Sequence, residues 1–589
     1  MGKIWLAGAA ALALTLVGSV GAPAPQSDWQ TAFAALCRGN SSHALAWQRG
    51  LRAMLSAAEA YAQDLPGDIN STPPLVAGLG DAHVPISSAV PTVQDYFDQG
   101  VRYTHAFNHA EAVRAFHEAQ RRDPNCAMCF WGEAFALGPN INAPMEASDN
   151  PAAYAAMRRA HELRTNATPL EQAFIEALQA RYQRTPPADR ARLDAAFADA
   201  MAHAADRFPD NDLMQILAAE AAMDTQPWDY WAPGGREPKG RAGDAIHRIE
   251  TVMARSPNSA GAIHLYIHLT EASADPWRAE AAAPRLALAA PQAGHLVHMP
   301  AHTYYRIGRF RDSIRSNVEA VAADEAYIRS ADPSPVYRYG YYPHNVHFVM
   351  TSAMMGGDGR TALEYADKLD ESVPIEMAQA VVLAQPVKAA PWYARAQFGD
   401  PASVLAAPEP PAGVSFVTGA WRYARAEALL RLGRVADARA EIDALQDLIQ
   451  AGDFAAMNQA NIPAQDILRV YRRLLAGRAF MAEHNYPSAI VELQGAVDAQ
   501  SRIPYTEPPY IYYPIRRTLG AAYLLNNQPN LAEIEFLQTL IDSPDDAYAY
   551  WGLSEARRAR GDRIGANGAR QMFNAAFLGP RNTMNLAQL

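Results

Sequence analysis

Residues 93–126 read VQDYFDQGVRYTHAFNHAEAVRAFHEAQRRDPNC, and the spacing within them decides the fold. Counting Val93 as position 1, small residues stand at positions 8, 20 and 27 (Gly100, Ala112, Ala119). Aromatic residues stand at 11 and 24 (Tyr103, Phe116), and Pro124 at 32. Small side chains let two antiparallel helices approach, aromatic rings fill the remaining space, and the proline ends the unit. The pattern returns at 470–503 with Gly477, Phe480, Ala489, Leu493 and Ala496. It returns again at 513–546 with Gly520, Tyr523, Ala532, Phe536 and Pro544, and more weakly from 419 with Gly433 and Ala438. Strand signals are scarce, while alanine-rich segments of helical period run throughout.

This 34-residue register resembles the tetratricopeptide repeat (TPR). The resemblance implies an all-α fold, a right-handed α-solenoid of stacked helix pairs, and it extends over about two-thirds of the chain. Residues 150–250 are helical in pattern but fit the consensus poorly. Three central units continue the register. Unit 260–293 has Ala279 and Pro291 in place, unit 294–327 has Tyr304 and Gly308, and unit 343–376 has Gly357, Ala362 and Pro374. An insertion, 328–342, separates the last two and carries Tyr337, Tyr339, Tyr341 and Tyr342.

Seven of the sixteen histidines fall in these units: His264, His268, His295, His298, His302, His344 and His347. The family resemblance implies that positions 2, 5, 9, 12 and 13 of each unit line the concave groove. Position 5 is His264, His298 and His347; position 9 is His268 and His302; position 2 is His295 and His344. All seven therefore land on groove positions in a register set without them.

Spacings of three, four and seven residues put each set on one helix face, and neighbouring helices lie close enough for imidazoles from both to meet on one ion. Two ions with three histidines each would use six, leaving one as an outer partner or proton carrier. Such sets resemble the ligands of paired-copper proteins on a different fold. Imidazole suits copper, zinc, iron and nickel; an all-nitrogen set in an oxidising compartment puts copper first and zinc second. Tyr305, Arg306 and Glu271 also fall on groove positions and are assigned to substrate. The alternative to metal is recognition of an acidic peptide or anion by the histidines and Arg306.

The expected activity is a copper-dependent oxidoreductase acting on a small molecule or peptide, with a zinc-dependent hydrolase as the second enzymatic option. The non-enzymatic alternatives are a scaffold binding a peptide or partner protein and a metal carrier. The net charge is −11 and no long basic run appears, which argues against nucleic-acid binding. No phosphate loop, Rossmann fingerprint or nucleophile elbow points to another catalytic class.

The N-terminus reads as a secretory signal over 1–24: Lys3, an apolar run from Ile4 to Val17, then small residues. The mature chain is expected to be periplasmic or secreted, with no membrane span. The expected domains are a helical segment over 25–92, a first TPR unit and the start of the next over 93–150, divergent helical repeats over 151–259, the histidine-rich units over 260–376, and C-terminal units over 377–589. Cys126-Ala-Met-Cys129 has CxxC spacing, but no thioredoxin-like pattern surrounds it, so a disulfide or buried pair is expected rather than a catalytic thiol. The strings FNHAEA, CAMCFWG, HLYIH, GHLVHMPAH and YPHNVHF resemble those of a group of exported bacterial TPR proteins. That likeness bears on the fold and not on a reaction.

Overall fold

The computed structural model describes residues 72–586 and 589, apart from 188 and 332. The signal sequence, its cleavage region and Cys37 lie outside the described residues. Residues 72–90, which fall within the expected N-terminal helical segment, run without a helix; Pro73, Pro74 and Pro85 lack the amide hydrogen a helix needs. Helix begins at Pro91. From there the described chain is a TPR-type all-α solenoid without β-strands, its one bridge pairing Trp231 with Pro238.

The helix pairs follow the sequence register. Pro91–His105 packs on His109–Arg122, Tyr342–Gly356 on Gly359–Ser372, Ala464–Ala482 on Tyr486–Gln500, and Arg516–Leu525 on Pro529–Asp542. In the first and last of these pairs the phenylalanine at position 24 is the wedge, and Leu493 takes that place against Gly477. Phe536 is fully buried between Gly520 of its own unit and Gly552 of the next helix, Ala547–Ala559. Phe116 sits the same way between Gly100 and Gly132; a Cβ at Gly100 would come within 2.5 Å of its ring.

Position 15, the turn between the paired helices, adopts positive φ in unit after unit. Glycine fills it at Gly308, Gly357 and Gly433, with φ of 79°, 84° and 71°. In the first unit the same turn is made by Phe107 at φ 54°, a conformation that costs a bulky L-residue strain.

The central units depart from regularity in two places. The second helix of unit 260–293 is reduced to a short turn at Pro276–Ala279 and the helix Ala283–Ala289. The first helix of the next unit is interrupted at Met299, between Gly294–His298 and Pro300–Arg306. Pro300 has no amide hydrogen to give to the preceding turn, and the His302 amide bonds instead three residues back, to the Met299 carbonyl. The expected insertion is a continuation of helix Phe310–Ser330 followed by a π-helical turn, Tyr337–Tyr341.

Two apolar clusters make up the core, one running from Leu79 to Ile307 and one from Val321 to Leu589. The histidine-bearing helices lie where they meet. Distant parts of the chain close over them. Tyr327 donates to Glu111, Leu578 donates its amide to the Gly356 carbonyl, and Gly308 packs on the Pro544 carbonyl. The concave face predicted for the central repeats is thus covered by the chain itself at this point. Replacing Phe536 by alanine should cost about 3–5 kcal/mol through the cavity left between two glycines; a chemical denaturation midpoint equal to that of the parent would contradict the wedge role.

Candidate metal centre

Helix Ala260–Glu271 presents His264 and His268 one turn apart; the broken helix Gly294–Arg306 presents His295, His298 and His302; helix Tyr342–Gly356 presents His344 and His347. Six of these seven form two groups of three. His264, His268 and His295 have ligand nitrogens all within 4.8 Å of one another, and so do His298, His302 and His344. Each group takes two histidines from one helix and a third from the next first helix. The second group repeats the first one unit later: His298 and His302 follow His264 and His268 by 34 residues each, and His344 follows His295 by 34 plus the insertion. The groups adjoin, with ring centroids 5.8 Å apart for His268–His302 and 5.9 Å for His295–His298.

The seventh histidine stands apart. His347 holds position 5 of its unit, but position 9 there is Thr351, so the pair needed for a third group is missing. Its Nε2 meets the Tyr512 hydroxyl at 2.7 Å.

Three of the six grouped imidazoles donate from Nδ1 to oxygen, and a fourth stands beside two carboxylates. His264 Nδ1 donates to the His105 carbonyl at 2.7 Å, and His298 Nδ1 to Asn317 Oδ1 at 2.5 Å, while Asn317 Nδ2 donates to the Ser313 carbonyl. His268 Nδ1 donates to Glu271 Oε1 at 2.8 Å. His302 Nδ1 lies 2.5 Å from both Glu271 Oε2 and Glu507 Oε2. A neutral imidazole with Nδ1–H committed outward turns a lone pair inward at Nε2. The inward nitrogens meet at hydrogen-bonding distance, with Nε2 of His264 and His298 accepting: His264–His295 at 3.1 Å, His298–His302 at 2.6 Å and His298–His344 at 3.1 Å. Nitrogens bound at 2.0–2.1 Å to one tetrahedral ion would lie roughly 3.3 Å apart. His268 Nε2 is buried with no hydrogen-bond partner.

Burial keeps most of these imidazoles unprotonated. Apart from His344, which is partly exposed, the histidines are at most 6% exposed. Burial pushes His264 and His344 down to about 3 and holds His268, His295 and His298 well below their ordinary range, so these five are neutral at pH 7. His302 is the exception. Burial opposes its charge, but Glu271 and Glu507 outweigh that and raise it to about 10. Burial and the neighbouring Glu507 raise Glu271, whereas Glu507, despite its own burial, is lowered by His302. His302 thus carries a proton where the ring nitrogens converge, balanced by one carboxylate.

Each group also has an aromatic lid. Phe107 lies 4.4, 6.0 and 5.6 Å from His264, His268 and His295, and Phe348 lies 5.0, 4.7 and 5.1 Å from His298, His302 and His344. The strained turn at Phe107 is explained by this contact: glycine would make the turn freely but supply no ring.

The residues assigned to substrate have other partners. Glu271 is engaged by His268 and His302. Arg306 donates to the Glu271 carbonyl at 2.9 Å and lies over the Tyr505 ring. Tyr305 packs against Phe310 and Phe348. Sequence reasoning missed Asn317, Glu507, Tyr512 and both phenylalanines. Asn317 lies on a second helix, Glu507 and Tyr512 between two recognised units, and none belongs to a repeat position that marks a ligand. Cys126 and Cys129 form a disulfide at the start of helix Ala127–Ala136.

Sequence comparison finds no matching family profile and no matching curated protein. Solved structures do match. The TPR domain of P58(IPK) is 13% identical over 80% of this chain and 98% of that one, with a TM-score of 0.21. The human IFIT1 dimer with m7Gppp-AAAA is 11% identical over 82% and 90%, and yeast Tom70 is 11% identical over 81% and 92%, each with a TM-score of 0.27. The fold assignment rests on the helix pairs and wedge residues described above.

Removing an outer partner of a ligating histidine typically weakens metal binding about 10–100-fold. Asn317→Ala should do so here, measured by chelator competition with copper or zinc; an unchanged affinity would show that the Asn317 contact does not orient His298.

Proposed function

We propose that this chain is an exported oxidoreductase built around a pair of copper ions, one held by His264, His268 and His295 and the other by His298, His302 and His344. One observation carries the reading: two three-histidine groups, one repeat apart, each bring three ring nitrogens within 4.8 Å of one another, with Nδ1 of His264, His268 and His298 donated outward to oxygen. A cation would be held by those converging nitrogens, and a structural role for the histidines would not require two such groups in repeat register. Outer acceptors on Nδ1 are the usual companions of metal-bound imidazole.

Copper is favoured because each group is all nitrogen and three-coordinate from the protein. Two such ions side by side would supply a two-electron store for reaction with an oxidant such as dioxygen. In this reading Glu271 and Glu507 neutralise charge and hold His268 and His302, and the two phenylalanine rings limit water at the groups. Zinc hydrolysis is less well supported, since Glu271 and Glu507 both lie at ion-pair distance from histidine, although with His268 they form a further group of three that could hold a cation. The TPR-type fold is suited to binding a protein or peptide on its other faces, and such binding is compatible with a buried metal pair. A carrier would release metal, which the burial of these ligands disfavours.

A small-molecule substrate fits the enclosure better than a long peptide. A cavity of about 410 Å³ lined by Asp81, Arg102, His105, Ser259 and Gly261 lies about one helical turn from His264. Export is supported by the signal-like N-terminus and by the Cys126–Cys129 disulfide, which persists in oxidising compartments. No described helix is long and apolar enough to cross a membrane.

The deciding experiment is elemental analysis of the full chain purified from an exported preparation without chelators, beside the His298→Ala/His302→Ala variant. Two copper ions per chain are expected, with the second group emptied in the variant and helical content kept. Absence of metal, even after reconstitution with copper, would overturn the reading. A single zinc would move it to structural or hydrolytic metal.

A further inference from the structure

His347 and Tyr512 are not accounted for by the two histidine groups. They come from opposite ends of the chain's central-to-C-terminal half, 165 residues apart, and meet in a fully enclosed place. His347 is 6% exposed and Tyr512 4%. The segment that delivers Tyr512 also delivers Glu507 to His302, so two of its side chains reach the histidine-bearing helices. His347 follows His344 by three residues on one helix, a rise of about 4.5 Å. The next residue, Phe348, is the ring that lies on His298, His302 and His344.

The chemistry of the pair is specific. The Tyr512 hydroxyl and His347 Nε2 are hydrogen-bonded at 2.7 Å, and with the imidazole proton on Nδ1 the phenol is the donor. Burial keeps the imidazole neutral and therefore able to accept a proton, and keeps the phenol protonated. Behind Tyr512 stands a stack of buried tyrosines. Tyr393 lies 5.6 Å from it, Tyr471 stacks on Tyr393 at 4.4 Å, and Tyr423 lies 4.7 Å from Tyr471. Tyr393 Oη has no hydrogen-bond partner, and Tyr471 donates to the Tyr510 carbonyl at 3.3 Å. A carbonyl is not a base. Of Tyr512, Tyr393 and Tyr471, Tyr512 alone has a base at its hydroxyl. A phenol loses an electron readily only when its proton has somewhere to go, so an oxidising equivalent shared by these three would come to rest on Tyr512.

We propose that Tyr512 and His347 form a redox-active pair that takes one oxidising equivalent from the neighbouring histidine-held centre and stores it as a tyrosyl radical. The step balances within the pair and its oxidant. Tyr512 gives one electron to the oxidised centre, and the phenolic proton crosses the hydrogen bond to His347 Nε2. The products are a neutral Tyr512 radical, a protonated His347 and a centre reduced by one electron. An external reductant such as a phenol or thiol returns the electron, and the proton goes back from His347 to the Tyr512 oxygen. The source of the oxidising equivalent rests on the copper reading above; the redox competence of the pair does not.

Two arms test it. In the first, the copper-loaded, reduced full chain is mixed with hydrogen peroxide in the absence of organic reductant, freeze-quenched and read by electron paramagnetic resonance. A tyrosyl signal is expected, absent in Tyr512→Phe and diminished in His347→Gln, which keeps a hydrogen-bond acceptor but removes the base. In the second, metal-free protein is oxidised by light-generated tris(bipyridine)ruthenium(III). Tyrosine oxidation should slow in deuterated water and be lost in Tyr512→Phe, with far-ultraviolet circular dichroism matching the parent. A chain that holds two copper ions yet forms no radical, or forms the same radical in Tyr512→Phe, would overturn the transfer from the centre. A chain that takes up no copper would sink the metal reading alone, and the ruthenium arm would then decide the pair: equal oxidation with and without Tyr512 would overturn it.

Discussion

Imidazole nitrogens that converge in threes in an interior with little access to water must satisfy one another, and the centre of this protein is organised around that constraint. Their contacts of 2.6–3.1 Å each need one proton between two nitrogens. The proton on His302 supplies one of them, stabilised by Glu271 and Glu507. On the proposed reading a pair of cations takes the place of those protons. The carboxylates suit either state, because negative charge beside His302 stabilises an imidazolium or a metal-bound imidazole alike.

The repeat explains how such a demanding arrangement arises twice. Helix pairs stack so that equivalent positions of successive first helices face each other. A histidine pair on one first helix plus a histidine on the next makes one group, and moving one unit along makes a second beside it. The break at Pro300 tightens the helix that serves both groups. The series ends at Thr351, which explains why the seventh histidine is released to a different partner.

What holds the groups in place comes from far away in sequence. The His105 carbonyl fixes His264 from the first unit, Asn317 fixes His298 from a second helix, and Glu507 reaches His302 from a segment between two C-terminal units. Phe107 shows how local and global demands compete: the turn favours glycine at positive φ, while the histidine group requires an aromatic ring. These contacts make the centre depend on both halves of the solenoid, so disturbance of either end would be felt at the histidines.

The sequence by itself determined the helical repeat and the pairing of histidines. Both depend on short, fixed spacings: a 34-residue period carries Gly100, Phe116 and their equivalents to the same wedge, and four-residue steps carry His264/His268 and His298/His302 to one face. That the histidines would gather as two groups of three with one left over was legible for the same reason. Only the tertiary structure decided which histidine was left over, that the central face is covered by the chain itself, and that Glu271 and Arg306 are taken up by histidine and backbone. It also brought in Glu507, Asn317, Phe107, Phe348 and Tyr512. Those outcomes depend on how far the stack curls and on which distant segment arrives at the centre. Chain-closing contacts of that kind carry no period, so nothing in the spacing of residues along the chain could announce them.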